Sequence, residues 1–348
     1  MELETLLKKA ANRKASDILI SAGSPPCIRI DGVLRYIVTD ALTPAETKDM
    51  VYGMLEDTQR ARFERERELD FSITYQGNRF RGNAYWKLGT VAAALRLIPT
   101  EIPEPQALGL PPKLLELIEK PHGLILITGA TGQGKSTSMA SLIAYVNRTH
   151  RRHIITIEDP VEFLHRNEKS VVDQREVGPD TLGFSEALKH VLRQNPDVIQ
   201  VGEMRDLETI RSALTAAETG HLVISTLHTN DAVQAIDRII DVFPRDQQGQ
   251  IRAQLSMVLL AVFSQRLVKG VTGSQILAYE LLVGIPSVGH LIRDEKSHQL
   301  PSLMQLNQRE GMVTLDHCLK ELVKKGAVSE TEAARFMSGN SGEGEEED

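Results

Sequence analysis

The stretch Gly129-Ala-Thr-Gly-Gln-Gly-Lys-Ser136 constrains this chain more than any other. It has the spacing G-x-x-x-x-G-K-[ST], a loop whose backbone N–H groups turn inward around phosphate oxygens. The apolar run 123–128 ahead of it reads as a buried strand, and the run 136–147 behind it suits a helix. Strand, loop and helix in that order are the context this motif requires. Glycine lets the backbone curl, and the start of the helix adds its positive dipole end. Lys135 is placed to neutralise the transferred phosphate, and the Ser136 hydroxyl to ligate Mg²⁺. The expected cradle is Gly129, Ala130, Thr131, Gly132, Gln133, Gly134, Lys135, Ser136 and Thr137. A glycine-rich turn without a ligand is the competing reading, and the filled fixed positions count against it. The chain is expected to bind a nucleoside triphosphate.

A length of 348 residues exceeds an ordinary single domain, so two are expected. Before the loop, residues 2–14 carry Leu3, Leu6, Leu7 and Ala10 on one helical stripe. Residues 16–21 read as a strand, and Asp31-Gly32 sits between two alternating runs as a hairpin turn. Thr43-Pro-Ala-Glu46 fits a capping box opening a helix toward Leu55. Strands are expected over 69–75, 79–86 and 90–98, giving an α+β domain over 1–98. Pro99, Pro103, Pro105, Pro111 and Pro112 make 99–112 the expected interdomain linker. From 113 to 335 strands and helices alternate, the pattern of a mostly parallel sheet. Residues 336–348 are expected to be a disordered acidic tail.

Two strands of the second domain end in acids and a third in histidine. Ile154–Glu162 delivers Glu158, Asp159 and Glu162 beyond a strand, where ligands of an open parallel sheet sit. Phosphoryl transfer to water needs one carboxylate that orients the water, distinct from any that holds the metal. Asp197–Glu203 is a second apolar strand ending in an acid, suited to a direct or water-mediated contact with Mg²⁺. The following run, Met204–Arg211, reads as a helix start with structural ion pairs. Thr219–Thr229 places His228 at the carboxyl end of a third strand, where it and Thr226 could sense a γ-phosphate. His221 lies at the other end of that strand, and the two histidines lack the compact spacing of metal ligands.

Taken together, Gly129–Ser136, Thr156–Glu162, Gly202–Asp206 with Glu208-Thr209, and Thr219–Thr229 resemble the secretion-ATPase superfamily. They match its Walker A, Asp box, Walker B and His box in order, and the resemblance covers about residues 1–335. It implies an α/β chain with an N-terminal PAS-like α+β domain and a RecA-like P-loop ATPase domain. It implies ATP and Mg²⁺ as cofactors, with Ser136 and Glu203 at the metal, and a homohexamer as the working form. Glu162 takes the role of catalytic glutamate, Glu203 that of Walker-B acid, and His228 that of principal His-box residue. Arg79, Arg81 and Arg96 fall in the segment that supplies arginines to the nucleotide at a subunit junction; for each, a solvent-facing strand arginine is the alternative.

Within the superfamily the chain resembles motors that retract type IV pili. Extension motors carry a longer N-terminal region and a tetracysteine motif, and this chain is expected to have neither; Cys27 and Cys318 stand alone, as suits a reducing compartment. The stretch 287–296 keeps Leu291-Ile292-Arg293 and Lys296 of a retraction signature but differs in its first four residues. The segment 83–89 also departs from the family pattern, so a principal retraction motor and a PilU-like accessory ATPase both remain open. The expected partners are the inner-membrane platform protein (PilC-like) and a paralogue of the same family. No secretory signal and no apolar run of about 20 residues occurs, so the expected location is cytoplasmic, peripheral to the inner membrane through the pilus machine.

Two readings from other classes compete. A regulatory ATP-binding module would hydrolyse negligibly, and Glu162 with Glu203 argues against it. A nucleic-acid translocase needs cations and stacking platforms, whereas the net charge is −7 and aromatics make up 4%.

Overall fold

The structure is a computed structural model that describes residues 2–337. The expectation of an acidic tail falls almost wholly on residues outside that range. The chain divides into two compact units. One runs to Glu101 and includes Glu162–Leu164; the other holds Ile102–Val161 and the chain from His165 onward.

In the first unit, β1 (Asp17–Ser21), β2 (Cys27–Ile30), β3 (Val33–Tyr36), β4 (Glu68–Tyr75), β5 (Asn78–Lys87) and β6 (Thr90–Leu97) form one sheet. Its order is β3-β2-β1-β6-β5-β4, and every neighbouring pair is antiparallel. The β2–β3 turn sits at Asp31-Gly32, with φ of 49° and 79°. Side chains alternate across the sheet: Ile18, Ile28, Phe80 and Leu95 are buried in one core with Leu6, Leu7 and Ala10 of the helix Leu3–Asn12. Thr43 caps the helix Pro44–Tyr52, and the Glu46 carboxylate accepts from the Thr43 N–H at 2.8 Å. A further helix, Asp57–Glu66, buries Phe63 alone among its residues.

In the second unit, β7 (Gly123–Thr128), β8 (His153–Glu158), β9 (Val171–Glu176), β10 (Val198–Val201), β11 (Leu222–Leu227), β12 (Leu259–Lys269) and β13 (Gln275–Val283) form a seven-stranded sheet. Its order is β13-β12-β7-β11-β10-β8-β9, with only the β12–β13 pair antiparallel. Every residue of β7 and β11 is buried, as central strands covered on both faces require. Register aligns the strand ends: Thr128 lies opposite Leu227, and Val201 opposite both Ser225 and Ile157. The segments following β7, β8, β10 and β11 therefore leave the sheet from one edge.

The proline-rich stretch is shared between the units. From Ile102 it packs in the second, where Leu110 is buried in the core and the Ser141 hydroxyl donates to the Pro103 carbonyl at 2.7 Å.

Candidate nucleotide-binding site

The loop after β7 has the backbone its sequence demands. Gly129, Gly132 and Gly134 have φ of 144°, 79° and 79°, and a methyl group on Gly129 would come within 2.5 Å of the Gln265 carbonyl oxygen. Gly134 precedes the helix Lys135–Thr149, whose N-terminus has no side-chain cap, leaving its N–H groups for a ligand. Lys135 is buried, and its Nζ donates to the Gly129 and Ala130 carbonyls at 2.7 and 2.9 Å. The cation thus lies inside the loop, where an anion would meet it.

The loop is tied down from β12. The Leu267 N–H donates to Gln133 Oε1 at 2.6 Å, and Gln265 Nε2 donates to the Gln133 carbonyl. Below them the buried Thr128 hydroxyl donates to Ser264 Oγ at 2.8 Å. Sequence reading missed these partners, since they join residues more than a hundred positions apart and no motif marks Gln265.

A polar chain connects the loop to the neighbouring strand ends. Thr131 Oγ1 lies 3.4 Å from His228 Nδ1, and His228 Nε2 lies 3.4 Å from Glu203 Oε2. Glu203 Oε1 pairs with Arg205 Nε at 2.6 Å. The Thr226 hydroxyl donates to the Gly202 carbonyl at 2.6 Å, fixing β11 against the chain that carries Glu203. The structure therefore links Thr131, His228 and Glu203 in one chain of contacts and holds Lys135 in the same loop as Thr131. Thr226, expected to sense phosphate, donates instead to backbone.

The three acids at and beyond the end of β8 divide. Glu158 is buried and turned onto neighbours: Thr156 Oγ1 and Gln174 Nε2 donate to its Oε1 at 2.6 and 3.0 Å. Glu158 lies two residues from Thr156, which puts both on one side of β8. Gln174 Oε1 also accepts from the His165 N–H at 2.8 Å. Burial holds the His165 ring neutral, its pKa lowered to about 4. Asp159 is exposed, and exposed Glu162 belongs to the first unit, where the Leu164 N–H donates to the Pro99 carbonyl at 3.2 Å.

Also in the first unit, Arg29, Asp17, Arg96 and Arg81 stand opposite one another in a row across four strands. Arg79, two residues before Arg81, shares its face of β5. Asp17 takes Arg96 at 3.0 Å and Arg29 at 3.5 Å. Arg81 faces Arg96 directly, a like-charge pair that a sheet does not favour for its own stability.

The groups present fit Mg²⁺ with phosphate. Ser136 lies in the first turn of the helix, half-buried, and the Glu203 side chain is 14% exposed; both offer hard oxygen donors. Among the described residues no group of three or more His, Cys, Asp or Glu is arranged to hold a metal unaided, so phosphate oxygens would complete the coordination.

Comparison with known proteins gives a consistent result. The type II/IV secretion system protein family matches residues 2–333. The type IV pilus retraction ATPase PilT of Pseudomonas aeruginosa is 47% identical over 96% of this chain and 97% of its own length. The type IV pilus ATPase PilU of the same organism is 41% identical over 96% of this chain and 88% of its length. A crystal structure of the pilus retraction motor PilT with bound ADP superposes with a TM-score of 0.88 at 47% identity, covering 96% of each chain. With its loop, strand ends and topology all in place, the chain belongs to the type II/IV secretion system protein family.

Proposed function

We infer that this chain is an ATP-hydrolysing motor that powers retraction of type IV pili. The observation that carries the reading is the continuous connection from the phosphate loop through His228 to Glu203. It joins the group that meets the γ-phosphate to the group suited to the metal. Identity of 47% to a pilus retraction ATPase, against 41% to the pilus ATPase PilU, favours the principal motor over the accessory role.

Lys135 and the loop N–H groups take the β- and γ-phosphates, and Ser136 and Glu203 hold Mg²⁺. The metal supplies charge neutralisation at the phosphates when bound. Glu162 orients and deprotonates the attacking water. Arg81, Arg96 and Arg79 supply positive charge to the transition state across the junction between copies; the direct opposition of Arg81 and Arg96 on one sheet face supports that role. A homohexamer supplies those junctions. Its partners are a PilC-like platform protein of the inner membrane and a paralogue of the PilU type. The site of action is the cytoplasmic face of the pilus machine, and no helix among the described residues is long and apolar enough to cross a membrane. Nucleotide turnover swings the N-terminal domain about the 99–112 linker.

Phosphate release tests the enzymatic core. Glu162→Gln is expected to lower turnover by about a hundredfold or more while leaving the affinity for ADP within about threefold. Full turnover in Glu162→Gln would remove that residue from catalysis, and absent turnover in the unaltered protein would leave only a nucleotide sensor.

A further inference from the structure

Glu203 has a cationic neighbour that the reading above leaves without a role. Arg205 Nε reaches Glu203 Oε1 at 2.6 Å, while His228 takes the other oxygen at 3.4 Å. The backbone around it is pinned. Met204 is buried, its N–H donating to the Thr226 carbonyl at 3.1 Å, and Asp206 accepts from the Thr209 N–H and hydroxyl at 2.9 and 2.7 Å. Between these two anchors the Arg205 side chain is 74% exposed. It is tethered to a nearly enclosed carboxylate by one end and free of packing along the rest.

A solvent-facing ion pair two residues apart is ordinarily a surface detail of little consequence. Here the acid is 14% exposed and stands at the end of β10, where the site needs it for a metal. A carboxylate oxygen held at 2.6 Å by a guanidinium does not offer that lone pair fully to a cation. We propose that Arg205 is a positioning residue that competes with Mg²⁺ for Glu203, so that loading of the metal–nucleotide complex exchanges one cation for the other. This rests on the assignment of Glu203 to the metal. Arg205 holds the acid in place when the subunit is empty, moves outward on loading, and returns on release. The exchange weakens the hold on metal-bound product and so favours turnover of nucleotide. The mobility this requires matches its exposure, whereas His228, linked on both sides, stays.

The test is equilibrium titration of the full-length assembled protein with fluorescent ADP, in excess Mg²⁺ and in EDTA. The dissociation constant in EDTA divided by that in Mg²⁺ measures how strongly metal and nucleotide support each other. In Arg205→Ala the EDTA value is expected to hold within about twofold while the ratio rises about fivefold. Arg205→Lys is expected to return the ratio most of the way, because an ammonium also reaches the acid. In a Glu203→Gln background, Arg205→Ala is expected to change nothing. An unchanged or lowered ratio in Arg205→Ala would overturn the proposal, as would equal weakening with and without metal, which would mark a direct phosphate contact. If Glu203→Gln alone leaves the ratio of the unaltered protein intact, Glu203 is not at the metal, and the assignment beneath the proposal fails first.

Discussion

At the scale of single residues, Glu280 gives the sharpest physical signal outside the phosphate loop. It stands on β13 opposite Ser264, and its Oε1 accepts from the Ala232 N–H at 2.9 Å, at the start of the helix that follows His228. The residue keeps some accessible surface, but its carboxyl is closely surrounded by protein. That burial pushes its pKa up to about 7, with Asp231 and Asp316 adding to the rise and the Ala232 N–H and Arg266 opposing it. The sign follows from proton counts. Between the unfolded value of 4.5 and the folded value of about 7 the folded chain holds the extra proton. Its stabilisation is full below that window and lost as pH rises through it. The cost at pH 8 is at most about 3 kcal/mol. Glu280→Gln keeps an acceptor for Ala232 and removes the charge. The difference in melting temperature between pH 5 and pH 8 is therefore expected to shrink in that variant. An equal difference in both proteins would show that the carboxyl ionises freely in the fold.

At the scale of elements, the phosphate loop owes its shape to β12 as well as to its own glycines. Gln265 holds the Gln133 carbonyl, and the Leu267 N–H holds its side-chain oxygen. Gln265→Ala should therefore weaken ADP binding about fivefold, the worth of roughly one hydrogen bond of about 1 kcal/mol, and raise amide exchange in 130–134. Unchanged affinity and exchange would mean the loop is shaped by local sequence alone. Local sequence did specify much else. The apolar run before the loop, the acids and histidine at the ends of β8, β10 and β11, the Asp31-Gly32 turn and the Thr43 cap are all visible in it, because each follows from the choice of nearby residues. Elements without an apolar period escaped. The helix Asp57–Glu66 buries only Phe63, and β9 buries only Val172 and Glu176, so neither shows a stripe or an alternation. Partners distant in sequence escaped too. Nothing near Glu158 announces that Gln174 will hold it, and nothing near Glu203 gives Arg205 more than a structural part.

At the scale of the whole molecule, the residues proposed for catalysis fall in two units. Thr131, Lys135, Glu203 and His228 lie in the second, while Glu162 and the row of arginines belong to the first. If arginines reach the nucleotide across a junction between copies, activity depends on assembly, as transition-state charge then lacks its partner in a lone subunit. Phosphate release per subunit, followed through a dilution series that crosses dissociation of the ring, is expected to fall by at least about tenfold. A flat profile would place every catalytic group within one copy. The central claim is that hydrolysis at this loop drives pilus retraction. The most direct measurement is live imaging of type IV pili in cells lacking their own retraction motor and supplied with this chain or its Lys135→Ala variant. The account predicts that the unaltered chain restores retraction and that Lys135→Ala, stably expressed, leaves pili extended; retraction restored equally by both would contradict it.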